Sequence, residues 1–205
     1  MPDLELESRL KTLGHTRIAG IDEAGRGPLA GPVVAGAVIL PPDFDCPGLN
    51  DSKKLSAKKR ELIHETLIQT PGLVWASATC SCEEIDKLNI LRATHLAMRR
   101  AAEALESTAN YYLIDGLPVK DFPYPHDAVV KGDGKSLSIA AASIIAKVTR
   151  DRLMAEIDLE FPAYGFARHQ GYGTKQHLEA LRNLGPCRHH RRSFQPVAQL
   201  SLPLD

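Results

Sequence analysis

Residues 18–40 constrain the fold of this chain more than any other stretch. Two short apolar runs, residues 18–21 and 33–40, flank a loop that is rich in glycine. Such runs, bounded by Gly and Pro, are typical of buried strands and predict a hairpin-like pair. The first run ends in two adjacent carboxylates, Asp22 and Glu23. Burying carboxylates costs free energy unless a cation or hydrogen-bond donors offset that cost, so the rest of the chain has to supply such partners.

The composition is that of a globular protein with a real core. The chain has 205 residues, of which 43% are hydrophobic and 24% are charged. No apolar run reaches membrane-spanning length, and three acids among the first ten residues argue against a signal peptide. The spacing of Cys46, Cys80, Cys82 and Cys187 matches no zinc motif and favours free thiols. We therefore expect a cytoplasmic protein without a membrane partner.

The charge is balanced overall but unevenly distributed. The formal net charge is zero, which is unusual for a general nucleic-acid binder. However, residues 53–60 carry five cations in eight positions, and residues 188–192 form a second basic cluster. Local patches of this kind can bind phosphate, so the zero net charge does not exclude a nucleic-acid substrate. The cluster at 188–192 has two interpretations: it clamps a substrate, or it pairs with acids of the core.

The remaining pattern predicts an α/β domain with a mixed sheet flanked by helices and a small C-terminal helical appendage. We expect further strands at 73–80, 111–114 and 128–130, and helices at 57–69, from Asn89 onward, at 138–160 and up to Leu184. Ser56 and Thr174 are the expected N-caps of two of these helices, and Leu62 and Leu91 lie on predicted buried faces. The predicted organisation is an N-terminal lead-in (1–16), a catalytic domain (17–162), a helical appendage (163–194) and a flexible tail (195–205).

Three of the predicted strands end in acid. Asp115 and Asp133 follow their apolar runs as Asp22 and Glu23 follow the first. If these strands are neighbours, four carboxylates meet at one edge of the sheet, where they raise each other's pKa. Oxygen-only ligands suit Mg²⁺ or Mn²⁺, and two such ions about 4 Å apart can promote phosphodiester hydrolysis. The alternative is that Asp115 and Asp133 are ordinary turn residues, since Asp-Gly is a common turn pair.

One geometric condition applies to Asp22 and Glu23. Adjacent residues of a regular strand point to opposite faces of the sheet. Both carboxylates can therefore reach one ion only if the strand ends there, which Gly25 permits. Otherwise Glu23 contributes its backbone carbonyl.

Six blocks of this sequence resemble the successive signature blocks of bacterial ribonuclease HII. They span about residues 17–197 and read GIDEAGRGPLAGPVVAGAVIL, LNDSKKL, YLIDG, KGDGKSLSIAAASIIAKVTRD, HQGYGTKQHL and HRRSF. The resemblance implies a ribonuclease H-like fold and a metal-dependent endonuclease. Such enzymes hydrolyse the RNA strand of RNA–DNA hybrids and cut 5′ to single ribonucleotides in duplex DNA, leaving 5′-phosphate and 3′-hydroxyl ends. These activities serve ribonucleotide repair and primer removal during replication.

The same resemblance assigns roles to individual residues. Asp22, Glu23, Asp115 and Asp133 become the catalytic, metal-binding acids, with two Mn²⁺ or Mg²⁺ ions when substrate is bound. Residues implied to contact the substrate are the ribose-sensing loop of Gly25, Arg26 and Gly27, the phosphate-contacting Lys53, and Tyr172, which packs on the following deoxyribose.

The sequence departs from the family pattern at Gln170, where lysine is more common. We expect the change to remove one phosphate contact.

The last residues suggest a partner. Gln199, Leu200, Leu202 and Leu204 form a short peptide similar to those that dock in the bacterial DNA sliding clamp. The alternative is that these leucines pack against their own domain.

Two other functions compete with the leading one. One is a ribonuclease HIII-like hybrid nuclease, although only about 16 residues precede the first predicted strand and that family has an extra N-terminal domain. The other is a catalytically silent hybrid-binding module, which the four acids argue against. The resemblance also implies a monomer.

Overall fold

A five-stranded mixed sheet forms the centre of the computed structural model, which describes residues 1–105 and 109–200. The strands have the spatial order β3-β2-β1-β4-β5 and are β1 (Ile18–Ala24), β2 (Val33–Ile39), β3 (Val74–Cys80), β4 (Tyr111–Asp115) and β5 (His126–Val129). β2 pairs antiparallel with both β1 and β3, whereas β4 pairs parallel with both β1 and β5. The predicted mixed sheet and hairpin-like pair are thus confirmed.

Helices cover both faces of this sheet. Within the described residues they are α1 (Glu5–Thr12), α2 (Ala57–Gln69), α3 (Cys82–Leu88), α4 (Ile90–Ala104), α5 (Leu137–Glu160), α6 (Phe166–His169), α7 (Lys175–Leu184) and α8 (Val197–Leu200). Short 3₁₀ turns occur at Ser52–Lys54, Gly132–Gly134 and Pro162–Tyr164. None of the helices in the described part of the chain is long and apolar enough to cross a membrane.

Small residues bring α5 close to the central strands. Gly20 and Gly36 lie on the sheet face that α5 covers, and a Cβ built on Gly20 would stand 2.1 Å from the carbonyl carbon of Ser138. The facing turns of α5 are rich in alanine, which allows this approach. The opposite face packs on α4, where Ala97 and Met98 meet the sheet. Since side chains alternate along β1, Asp22 points to the same side as Gly20.

The helix signals were correct at several ends and wrong at single residues of two faces. Ser56 and Thr174 cap α2 and α7 as predicted, each accepting a backbone N–H of its first turn. Leu62 and Leu91, predicted to be buried, are instead 68% and 51% exposed. Other residues of the same predicted faces are buried, namely Ile63 and Leu67 on α2, Met98 and Ala102 on α4, and Leu105 at the C-cap of α4.

The N-terminal residues are packed against the domain. Helix α1 was not predicted, because residues 1–16 were interpreted as a lead-in. Its Glu7 is buried and accepts hydrogen bonds from the hydroxyls of Ser136 and Ser138 and from the Ser138 backbone N–H. Leu10 packs against Ile18. This contact joins the first helix to the start of α5.

The C-terminal residues also contact the body of the protein as far as they are described. Val197 is fully buried against Leu29 and Leu181. Helix α8 therefore begins at an anchored residue, and neither α8 nor α6 was predicted. The predicted Leu202 and Leu204 lie outside the described residues. The division of the chain into four segments remains a prediction.

The close approach of α5 at Gly36 predicts a stability effect. We expect Gly36→Ala to lower the free energy of unfolding by about 1–3 kcal/mol, because its Cβ would stand 2.5 Å from the Ala142 carbonyl oxygen. Gly134→Ala is the matched control, since nothing lies within 4 Å of its added Cβ. Urea unfolding of both variants measures the difference. Equal stabilities would contradict this account of the packing.

Candidate metal centre and substrate cleft

Three of the four predicted acids meet where β1 and β4 end. The parallel register pairs Ile21 with Ile114, so Asp22 and Asp115 are the next residues on neighbouring strands. One carboxylate oxygen from each of Asp22, Glu23 and Asp115 lies within 4.8 Å of the others. Parallel pairing therefore produces the convergence that the sequence predicted for these three acids.

The structure resolves the geometric condition on Asp22 and Glu23. β1 remains paired with β2 up to Ala24, but its pairing with β4 stops at Ile21. Beyond that point β1 has a neighbour on one side only, and both carboxylates turn toward Asp115. The Glu23 backbone N–H donates to Asp22 Oδ1 at 2.7 Å. Glu23 thus offers its carboxylate to the cluster although β1 continues to Ala24, so the predicted strand end at these residues was wrong and the loss of pairing with β4 takes its place.

Asp133 adjoins this group of three from the turn after β5. It is buried in the Gly132–Gly134 turn, whose Gly132 N–H donates to Asp115 Oδ1 at 2.6 Å. Its Oδ2 lies 3.6 Å from Lys53 Nζ. The predicted strand before it, residues 128–130, is observed as His126–Val129. Asp133 therefore borders the cluster and is tied to it by one backbone hydrogen bond.

The carboxylates of this cluster destabilise one another, and a bound cation would offset that repulsion. Burial raises the pKa of Asp22 well above 3.8, and the charges of Glu23 and Asp115 raise it further. Burial also raises the pKa of Glu23, although Arg26, 3.2 Å away, opposes that shift. For Asp133, burial and the neighbouring Asp115 raise the pKa. Clustered oxygen ligands with this unfavourable charge suit a hard divalent ion such as Mg²⁺ or Mn²⁺.

All five predicted substrate residues line one cleft with two of the acids. The cleft has a volume of about 360 Å³, and its lining includes Asp22, Glu23, Gly25, Arg26, Gly27, Lys53, Lys147, Arg150 and Tyr172. Gly25 has φ of 93°, a conformation that favours glycine. A Cβ on Gly27 would lie 3.6 Å from Cε1 of Tyr172, so the glycine loop and the ring face each other.

Two buried arginines, Arg150 and Arg191, hold this loop from behind. Arg150 was not predicted as a site residue, and Arg191 was predicted only as part of the basic cluster at 188–192. Arg191 donates to the backbone carbonyls of Gly25, Arg26 and Gly31. Arg150 donates to the carbonyls of Pro32 and Ala30 and also to that of Gln170. Guanidinium groups have five donors in a fixed fork, which suits several carbonyls at once.

The basic cluster at 188–192 therefore has divided roles. Arg188 pairs with Glu160 at 2.6 Å, which fits the interpretation of pairing with acids. Arg191 fits neither of the two interpretations, because it binds backbone carbonyls. Arg191 belongs to the HRRSF block, which indicated that this residue matters but did not indicate which atoms it contacts.

Histidines support the segment that carries Tyr172. His177 is fully buried; its Nδ1 lies 2.9 Å from the Tyr172 carbonyl oxygen and its Nε2 lies 3.0 Å from His190 Nε2. Burial lowers the pKa of His190 to about 4, so this ring stays neutral at physiological pH. Gln170 ends α6, and its side-chain amide donates to the Ala167 carbonyl at 2.8 Å. Gln170, which stands where the family more often has lysine, thus stabilises the C-terminal end of α6.

Comparisons with known proteins agree with this architecture. The chain matches the family model for ribonuclease HII over residues 19–197. It is 55% identical over 196 residues to ribonuclease HII of Syntrophotalea carbinolica, covering 96% of this chain and 93% of that one.

Solved structures share the fold. Ribonuclease H2 from Pyrococcus horikoshii OT3 superposes with a TM-score of 0.75 at 26% identity, covering 90% of this chain and 97% of that one. Ribonuclease HII in the PCNA complex from Archaeoglobus fulgidus superposes with a TM-score of 0.72 at 25% identity, covering 88% and 96%. The chain belongs to the ribonuclease HII family and is an endoribonuclease of the ribonuclease H type.

Proposed function

We propose that this endonuclease hydrolyses the RNA strand of RNA–DNA hybrids and cuts 5′ to single ribonucleotides in duplex DNA, leaving 5′-phosphate and 3′-hydroxyl ends. Asp22, Glu23, Asp115 and Asp133 are the proposed catalytic acids. The observation that carries the proposal is the convergence of three carboxylates at one end of the sheet, in a cleft shared with a glycine loop and an exposed tyrosine. The family assignment favours this reading over the ribonuclease HIII-like alternative.

The four acids would hold Mn²⁺ or Mg²⁺, with two ions when substrate is present. When bound, such ions supply an activated water and stabilise the charge on the leaving oxygen. The protein's own part is to hold the oxygen ligands in place. Hydrogen bonds from backbone N–H groups to Asp22 and Asp115 fix two of the carboxylates. No histidine among residues 1–105 and 109–200 lines the cleft, so we assign no side chain as general base.

Ribose recognition is the proposed role of the loop and the ring. Gly25 and Gly27 leave their backbone groups open to a sugar, and a 2′-hydroxyl can both donate and accept. Arg191 already occupies the carbonyl of Gly25 on the buried side, which fixes the direction in which the loop faces. Tyr172, 48% exposed, would pack on the next sugar, where a 2′-hydroxyl would crowd the ring.

Two cations border the metal-binding end of the cleft. Lys53 is largely exposed, 3.6 Å from Asp133, and is the proposed phosphate contact. Its turn is held by Arg60, which donates to the carbonyls of Ser52 and Leu55. Arg26 adds a second cation beside Glu23. Phosphate oxygens near the carboxylates would thus meet positive charge from two sides.

Substitution of one acid tests the catalytic assignment. We expect wild-type protein with Mg²⁺ or Mn²⁺ to cut a DNA duplex 5′ to its single ribonucleotide. Asp115→Asn should slow this cleavage at least about 100-fold, because it removes a charged ligand from the centre. The measurement is the single-turnover rate on a labelled duplex.

Asp127→Asn serves as the control for that variant. Asp127 is an exposed acid of β5 that accepts a hydrogen bond from Tyr111, away from the cluster. It should retain the wild-type rate. No cleavage by the wild type with either metal would refute the proposed function, and full activity of Asp115→Asn would refute the site.

The C-terminal peptide is the proposed contact with the DNA sliding clamp. Gln199 and Leu200 belong to α8, and Leu200 is 42% exposed. Leu202 and Leu204 complete the motif in the sequence. The solved relative from Archaeoglobus fulgidus forms a complex with PCNA, which supports such a partner for this chain. A clamp tether would raise the local concentration of the enzyme on newly replicated DNA.

Truncation tests this contact. Deletion of residues 199–205 should abolish binding to the sliding clamp, measured by surface plasmon resonance, because it removes the peptide that enters the clamp groove. Cleavage of a short hybrid should be unchanged, since the buried anchor Val197 is retained. Undiminished clamp binding by the truncated protein would overturn the proposal.

The cellular setting follows from the same proposal. We infer a cytoplasmic monomer that acts in ribonucleotide repair and in removal of primer RNA during replication. The four free thiols, Cys46, Cys80, Cys82 and Cys187, are compatible with a reducing compartment.

A further inference from the structure

A second groove lies between α4 and the loop that follows β4. It has a volume of about 420 Å³. Its apolar wall includes Leu96, Val119 and Phe122, and its rim carries Arg92, Arg99 and Lys120. None of the functions proposed above uses these residues.

Strand register places the start of α4, and with it one end of this groove, at the metal-binding end of the sheet. Cys80, the last residue of β3, pairs with Val33, and Val34 pairs with Ala24 at the end of β1. The chain therefore leaves β3 near the acids, and α4 begins only ten residues later, at Ile90.

The other wall of the groove is the loop that carries Val119, Lys120 and Phe122. This loop begins after Asp115, the last residue of β4, and runs back along the sheet, since the ring of Phe122 packs on Tyr112 and His126. Burial lowers the pKa of His95, which also lines the groove, and the charge of Arg26 lowers it further. The end of the groove that carries His95 therefore lies toward the glycine loop of the metal cleft.

The charge of the groove is positive and partly unpaired. Arg92, His95 and Arg99 are spaced i, i+3 and i+7, which puts them on one stripe of α4. Arg99 pairs with Glu103 at 3.5 Å, whereas Arg92 and Lys120 have no carboxylate partner among the described residues. Asp121 is the one acid in the lining. In a chain of zero net charge, this is a local excess of cations beside the active cleft.

We propose that this α4 groove binds the phosphodiester backbone of the substrate duplex on the part of the duplex that extends beyond the metal cleft. Arg92 and Lys120 would each neutralise one phosphate, and the apolar wall would contact the sugars. The proposal rests on the proposed function, because its ligand is the same duplex. The groove would be an additional phosphate-binding surface that increases affinity for long duplexes.

Salt dependence of binding tests the groove. Dissociation constants are measured by fluorescence anisotropy in the Asp115→Asn background, for duplexes with one ribonucleotide and with flanks extended stepwise on either side. Adding Arg92→Ala and Lys120→Ala should reduce the slope of log affinity against log salt by about 2 on long duplexes, since two phosphate contacts are lost. The reduction should disappear below a threshold flank length on one side.

A matched double variant controls for net charge. Lys11→Ala with Arg17→Ala removes two exposed cations just before β1, at the opposite end of the sheet, and should leave the slope unchanged. Equal slopes for the groove variant and its parent on every duplex would overturn the groove proposal. Wild-type cleavage of the same duplexes, measured in parallel, tests the proposed function separately. Cleavage with unchanged slopes refutes the groove alone.

Discussion

Repulsion among buried carboxylates is the constraint that the rest of this structure accommodates. Asp22 is 5% exposed and faces Glu23 and Asp115, so water stabilises its charge little and two like charges oppose it. The sheet holds these groups together because β1 and β4 are parallel neighbours whose pairing stops at Ile21 and Ile114, directly before Asp22 and Asp115. A stable α/β core, with Gly20 and Gly36 packed tightly against α5, fixes the strand ends in this unfavourable arrangement. Clustered acids with raised pKa values are typical of functional sites, and here they suit a bound cation.

The acids are coupled to the glycine loop by buried contacts. The loop leaves β1 immediately after Glu23 and is tied by Arg191 to the C-terminal segment and by Arg150 to α5. The same Arg150 also holds the carbonyl of Gln170, two residues before Tyr172. Metal ligands, loop and ring are therefore positioned by one set of buried contacts, and a shift in the loop would move all three.

Much of the fold and the site could be predicted because the signals are local. Each of these signals is contained in a short stretch of sequence. They are the apolar runs, the acids at strand ends, and the caps Ser56 and Thr174. Sequence could not show that Arg191 reaches the carbonyl of Gly25, because that contact joins residues 166 positions apart. Nor could it reveal α1, whose Glu7 gains its partners only from the start of α5.

The exposure of Leu62 and Leu91 has a similar cause. Helical periodicity identifies an apolar stripe, but which residues of that stripe are covered depends on the neighbour that is present. The α4 groove also depends on tertiary placement, since α4 and the loop after β4 become neighbours only in the folded chain.

The most direct test of the central claim is the stability of Asp22→Asn with and without Mn²⁺. The raised pKa of Asp22 means that its ionised form opposes folding at neutral pH, where the unfolded chain carries the charge freely. Without metal, the variant should therefore unfold with a higher free energy than the wild type. Mn²⁺ should stabilise the wild type and leave the variant nearly unchanged. A less stable metal-free variant, or equal stabilisation of both proteins by Mn²⁺, would contradict the account.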